Sequence, residues 1–209
     1  MQSEPNGAPR TLRRMAGAQP PAAVDPRRTA LVLIDFQQEY FTGNVPLPDG
    51  EAAAANAARL VAWAERTGMQ VVHVHHVAPS PKAALFTPGS DRIEPHPRLA
   101  PRAGDRRITK TLPSSFVGTE LDAFLKGKGI DTLVIAGLMT HMCVDSTARD
   151  AVSLGYKAIV AGDACATRDL PDRGTGARVA HADIHRGSLT ALADRFADVL
   201  ATADIERLA

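Results

Sequence analysis

Residues 129–151 read GIDTLVIAGLMTHMCVDSTARDA, and this stretch decides the fold. It opens with a short apolar run at residues 131–136, passes through Gly137, and continues in a helical pattern from about residue 143 to residue 154. Apolar runs without a polar face are typical of parallel strands that are covered on both sides. The stretch therefore predicts a buried strand, a loop and a helix.

The same alternation runs along most of the chain. Other apolar runs lie at residues 30–35, 70–77, 107–110, 156–161 and 196–200. Helical patterns lie between them at residues 51–66, 118–127 and 172–195, and a proline-rich loop is predicted for residues 79–104. Such alternation indicates βαβ units. We predict one α/β domain over residues 29–209, with three α/β/α layers around a Rossmann-like, mainly parallel sheet of five to six strands. Residues 1–28 are predicted to be a flexible N-terminal arm.

Composition excludes several classes of protein. The 209 residues carry 24 basic and 23 acidic side chains, so no global charge favours nucleic acid. No apolar run approaches the ~20 residues that span a bilayer, so no membrane partner is expected. Two cysteines give no disulfide framework, which favours a soluble cytoplasmic protein with a free thiol.

Three residues could carry chemistry, and the first of them, Asp35, is expected where a parallel sheet binds ligands, beyond the carboxyl ends of its strands. Asp35 follows the first run, Lys110 ends the run at residues 107–110, and Cys143 follows the run at residues 131–136. A thiol at a helix N-terminus is favoured as thiolate. A turn carboxylate, a surface lysine and a buried small residue are the alternatives, and spacing alone does not show that the three side chains meet.

Five ordered segments, over about residues 29–205, resemble those of isochorismatase-like cysteine hydrolases. This group includes N-carbamoylsarcosine amidases, streptothricin hydrolases and nicotinamidases. The segments are ALVLIDFQQEYF (30–41), ITK followed by SSFVGTEL (108–121), the stretch 129–151, LGY (154–156) and DACA (163–166). The resemblance implies the isochorismatase-like hydrolase fold.

The resemblance also implies roles for the three residues. Cys143 would attack a carbonyl carbon, Asp35 would accept the thiol proton, and Lys110 would orient and stabilise both. The peptide bond Leu138–Met139 would be cis, which is rare outside proline. The amides of Met139 and Cys143 would form the oxyanion hole.

The implied reaction is hydrolysis of a C–N bond in a small amide, carbamoyl or lactam substrate through a thioester, without a cofactor. Gln37, Phe41, His76 and Phe116 are the predicted pocket walls. The resemblance further implies a homo-oligomer, a dimer or a tetramer. Two alternatives stay open: vinyl-ether hydrolysis of the isochorismatase type, and a degenerate member that only binds or acts as a scaffold.

Histidines near the second strand suggest a metal, but their arrangement argues against one. On a strand, His73 and His75 share one face and His76 faces the other. The Asp-x-His metal motif of nicotinamidases would fall on His76 and Ala78, so its ligands are missing. No metal is expected. His141 suggests a Cys–His pair, although neighbours two residues apart rarely face each other.

Overall fold

The computed structural model describes residues 9–209, so the first eight residues of the predicted arm lie outside the described part. The strands in this range are β1 (Thr29–Ile34), β2 (Gln70–His76), β3 (Arg106–Lys110), β4 (Thr132–Leu138), β5 (Lys157–Ala166), β6 (Leu170–Pro171), β7 (Arg178–Val179) and β8 (Asp198–Leu200). The helices in this range are α1 (Leu12–Met15), α2 (Gly50–Thr67), α3 (Leu121–Gly127), α4 (Asp145–Ser153), α5 (His181–Arg195) and α6 (Thr202–Ile205).

The predicted three-layer architecture is confirmed. Six strands form one parallel sheet in the order β3-β2-β1-β4-β5-β8. Buried side chains of α2 and α6 pack on one face of the sheet, and those of α3, α4 and α5 pack on the other. Both faces are therefore covered, which explains the continuous apolar runs in the strands.

The centre of the sheet fixes the position of the site. All six residues of β1 are buried, and β1 lies between β2 and β4. Gly137 of β4 pairs with Ile34, where a Cβ atom would lie 2.6 Å from the Ile34 Cβ atom. Only glycine permits this approach. The strand order reverses between β1 and β4, so the crevice beyond their carboxyl ends is the expected ligand position.

The predicted helix start at Asp172 is wrong. Residues 170–179 form an antiparallel hairpin of β6 and β7, and α5 begins only at His181. Asp172 Oδ1 accepts hydrogen bonds from the Thr175 amide at 2.8 Å and the Gly174 amide at 2.9 Å. An aspartate that bonds nearby amides stabilises a turn and competes with helix formation.

Residues 9–28 lie along the edge of the domain. Arg13 Nη2 is 2.7 Å from Asp198 Oδ2 of β8, and the Leu12 amide donates to Asp194 Oδ1 of α5 at 2.8 Å. The flexibility expected of the arm stays a prediction. Among residues 9–209, no helix has the length and apolar character needed to cross a membrane.

Candidate active site

Three side chains meet beyond the carboxyl ends of β1, β3 and β4. Lys110 Nζ lies 2.8 Å from Asp35 Oδ2, and both side chains are fully buried. The same Nζ atom donates to Cys143 Sγ at 3.3 Å. The structure thus brings together the three residues that the sequence singles out.

The backbone directs Asp35 into this cluster. Its φ angle is +56°, a left-handed conformation that is unusual for a residue other than glycine. The Asp35 amide donates to Val74 O at 2.8 Å, and the Asp35 carbonyl accepts from the Gln37 amide at 2.8 Å. Bonds on both sides of the residue hold this conformation, as strained positions require.

Cys143 lies on a tight connection between β4 and α4. The peptide bond Leu138–Met139 is cis, and a π turn at Thr140–Val144 precedes α4. The Met139 carbonyl accepts from the amides of Met142 at 3.0 Å and Val144 at 3.3 Å. The Met139 amide donates to no group within residues 9–209.

Burial and the neighbouring carboxylate favour the protonated thiol. Burial raises the pKa of Cys143 far above its ordinary value, the Asp35 carboxylate raises it further, and Lys110 offsets only part of this. Desolvation thus opposes the thiolate that a helix N-terminus favours.

The base and the cation are shifted as well. Burial raises the pKa of Asp35 despite the Lys110 cation and the thiol that interact with it. Burial alone would lower the pKa of Lys110, but Asp35 and Cys143 reverse this and raise it. Neither Asp35 oxygen accepts a well-directed hydrogen bond within residues 9–209. A lone pair of this carboxylate is thus free to take the thiol proton.

A cavity of about 650 Å³ adjoins this cluster. Met139 and Met142, which precede Cys143 in the chain, form part of its wall. The full lining consists of Tyr40, Asn44, Val45, Pro46, His76, Leu85, Phe86, Met139, Met142 and Arg168.

His76 is a predicted wall that does line the cavity. Its Nδ1 atom lies 3.5 Å from Lys110 Nζ. Burial, and then the Lys110 cation, lower the pKa of His76, so its ring is neutral at pH 7.

The other three predicted walls, Gln37, Phe41 and Phe116, do not line this cavity. Gln37 is buried behind it, where its side chain accepts from the His76 amide at 2.7 Å and donates to the His76 carbonyl at 2.8 Å. Phe41 packs on His96 with ring centroids 4.4 Å apart. Phe116 stacks on Tyr156 at 5.7 Å. A 3-10 turn at Gln38–Tyr40 turns the chain, so Tyr40 rather than Phe41 faces the cavity.

Arg168 is the functional candidate that the sequence reasoning missed. Its guanidinium donates to Asp169 O at 3.3 Å and forms no ion pair within residues 9–209. Arg168 follows β5 by two residues, so it stands at the same sheet edge as Asp35, Lys110 and Cys143. The predicted strand ends at Ala161, whereas β5 ends at Ala166. With the correct strand end, the expectation that ligands bind beyond the carboxyl ends of parallel strands would have pointed to Arg168.

His141 and the histidines of β2 have other partners. His141 Nδ1 lies 2.5 Å from Thr167 Oγ1, and no hydrogen bond joins His141 to Cys143. His73 Nε2 lies 3.0 Å from Asp105 Oδ2. No group of three or more metal-ligating side chains occurs within residues 9–209.

Known proteins share both sequence and fold with this chain. Its residues 29–204 match the isochorismatase domain. The secreted isochorismatase effector Isc1 of Verticillium dahliae is 34% identical, over 93% of this chain and 98% of that protein. Maleamate amidohydrolase of Pseudomonas putida is 32% identical, over 85% of each chain.

Solved structures agree with these relatives. An isochorismatase from Pseudomonas putida has a TM-score of 0.87 and 33% identity, over 95% of this chain and 100% of that one. N-carbamoylsarcosine amidase from Thermoplasma acidophilum has a TM-score of 0.71 and 28% identity, over 84% of this chain and 96% of that one. Sequence match and overall fold agree, and the chain belongs to the isochorismatase domain family of hydrolases.

Proposed function

We propose that this chain is a cysteine hydrolase that cleaves the C–N bond of a small amide bearing an acidic group, through a thioester on Cys143. The contact of Lys110 Nζ with both Asp35 and Cys143, beside a cavity of about 650 Å³, carries this proposal. A nucleophile, a base and a group that orients the base are the parts that such catalysis needs.

The raised pKa values of both acidic groups favour proton transfer during attack rather than a preformed thiolate. Cys143 Sγ attacks the carbonyl carbon while Asp35 accepts the thiol proton. The resulting oxyanion is held by the amides of Met139 and Cys143. The Met139 amide suits this role because no described residue accepts from it.

The second half of the cycle reverses the proton flow. Asp35 gives the proton to the leaving nitrogen as the C–N bond breaks, which leaves a thioester. Asp35 then takes a proton from water as the water oxygen attacks the thioester carbon. The acid product leaves, and the proton returns to Cys143 Sγ. Lys110 stays protonated throughout, because its raised pKa favours the cation.

Arg168 supports an acidic substrate. Its guanidinium lines the cavity without an ion-pair partner among residues 9–209. A planar guanidinium binds carboxylates in two-point contacts. The relative that acts on maleamate, a monoamide of a dicarboxylic acid, agrees with this choice.

The test measures ammonia release from maleamate, succinamate and methyl succinamate, which differs from succinamate only in its esterified acid. We expect kcat/KM to be at least tenfold higher for the acids, since a bond to a charged group contributes ~1.5–3 kcal/mol. Arg168→Gln should remove this preference and leave the ester rate unchanged. Full activity of Cys143→Ala would overturn the nucleophile, and a preference for the ester would overturn the acidic substrate.

Vinyl-ether hydrolysis is the second candidate, because a solved structure of 33% identity is an isochorismatase. That reaction proceeds without a cysteine nucleophile, so turnover of isochorismate that survives in Cys143→Ala would favour it. A cytoplasmic location and a homo-oligomer both stay predictions. The Verticillium relative is a secreted effector, so location needs its own measurement.

A further inference from the structure

Glu39 is a fully buried carboxylate that takes no part in the catalytic cluster. It forms no ion pair within residues 9–209. Instead, its two oxygens accept backbone N–H groups from two separate segments. Oε1 accepts from the Asn44 amide at 2.6 Å, and Oε2 accepts from the Phe86 amide at 2.9 Å.

These two segments form most of the cavity wall. Residues 40–46 and 85–86 contribute six of its ten lining residues. A second link joins the same segments, because Asn44 Nδ2 donates to Ala84 O at 3.0 Å. Glu39 thus lies behind the wall and ties its two parts together.

The local backbone is built around this carboxylate. At Gly43, a Cβ atom would lie 2.5 Å from Glu39 Cα and 2.9 Å from Glu39 Oε1, so only glycine lets the turn wrap the side chain. Phe86 has a φ of +50°, which is unfavourable for a bulky residue. Such a conformation persists only where its surroundings hold it, and the bond to Glu39 is one restraint.

The Phe86 ring connects the wall to the reacting groups. It packs edge-on against Tyr40 at 5.1 Å and against His76 at 4.9 Å. His76 in turn lies 3.5 Å from Lys110 Nζ. His76 thus links Phe86, a wall of the cavity, to the Lys110 cation beside Cys143.

We propose that Glu39 is a positioning residue that sets the size limit of the substrate pocket by holding residues 40–46 against Phe86. This inference rests on the proposed function only because it takes the cavity to be the substrate pocket. Glu39 forms no hydrogen bond with Asp35, Lys110 or Cys143. It therefore affects how the substrate fits the pocket rather than the chemical step.

The variant Glu39→Gln keeps the shape of the side chain but replaces one acceptor oxygen with a donor, which cannot bond a backbone N–H group. Two readouts apply. The first is KM and kcat with the best amide. The second needs no turnover: the ratio of Cys143 alkylation rates by iodoacetamide and by the bulkier N-phenyl iodoacetamide. The ratio cancels the thiol pKa, which affects both reagents equally.

We expect Glu39→Gln to raise KM about tenfold with kcat within about threefold, and to reduce the preference for iodoacetamide at least threefold. Glu120→Gln, which removes an exposed carboxylate paired with Arg106, is the matched control and should change neither value. Asn44→Ala removes the second link, the exposed hydrogen bond to Ala84 O, and should shift the alkylation ratio in the same direction. This variant keeps the proposal testable if Glu39→Gln fails to fold.

An unchanged alkylation ratio in folded Glu39→Gln overturns the proposal. If Glu39→Gln does not fold, an unchanged ratio in Asn44→Ala overturns it instead. A fall in kcat with the ratio unchanged also overturns it. A wild-type enzyme that hydrolyses no amide refutes the proposed function instead, and the alkylation ratio still tests Glu39.

Discussion

Lys110 Nζ lies 2.8 Å from Asp35 Oδ2 in a place where neither side chain touches solvent. A buried pair of this kind need not stabilise a fold, because desolvation of both charges opposes their attraction. Asp35 also adopts a left-handed backbone conformation. The pair is therefore best explained by the chemistry that it permits at Cys143.

Breaking the pair on one side should destabilise the protein. Lys110→Met leaves a buried carboxylate without its cation, and we expect a loss of ~3–5 kcal/mol in the free energy of unfolding. The double variant Asp35→Asn/Lys110→Met should recover much of this loss, because no charge stays buried. Urea unfolding of both variants and of Asp35→Asn measures the coupling. Strictly additive effects would contradict the account.

The pH dependence of kcat/KM should report the base. The pKa of Asp35 is raised above its ordinary value, so activity should fall with decreasing pH as Asp35 becomes protonated, on an acid limb above the ordinary carboxyl range. His76 is the rival group, with a pKa lowered from its ordinary value. The acid limb should persist in His76→Asn. Its disappearance in that variant would assign it to the histidine.

Alkylation of Cys143 should be slow at neutral pH. Burial and Asp35 raise the pKa of the thiol, so the rate with iodoacetamide should still rise above pH 9. Asp35→Asn removes one of these causes and should shift the curve to lower pH. Cys165→Ala serves as the background, since Cys165 is the other free thiol. A rate that levels off by pH ~8.5 would indicate an ordinary thiol.

His141 should be dispensable. Its ring bonds Thr167 rather than the thiol, so His141→Ala should keep kcat within about threefold. Asp35→Asn should lower kcat at least ~10³-fold, since it removes the base. Comparable losses in the two variants would restore the Cys–His alternative.

The sequence predicted the sheet, and the shared sheet edge of Asp35 and Cys143, because both depend on local pattern. Asp35 and Cys143 follow buried apolar runs, and parallel strands bring such positions to one edge. Pattern could not show the Lys110 contacts, since they depend on the order β3-β2-β1-β4, which no single segment encodes.

The residues around the cavity could not be placed from pattern, for a different reason. Phe41 is turned away by a 3-10 turn that its apolar spacing does not reveal. Phe86 reaches the cavity only through a left-handed backbone and a bond to a distant glutamate. Arg168 was missed because β5 continues through Gly162 and Asp163, where the apolar pattern weakens. Loop positions of this kind depend on tertiary contacts rather than on periodicity.

Trapping the covalent intermediate is the decisive experiment. Wild-type protein is mixed with a turned-over amide, quenched in acid within milliseconds, and digested for mass spectrometry of the peptide that contains Cys143. The account predicts the mass of the acyl group on Cys143 of wild type and its absence in Cys143→Ala, which should also be inactive. Turnover by Cys143→Ala at the wild-type rate, with no acyl group on any cysteine, would contradict it.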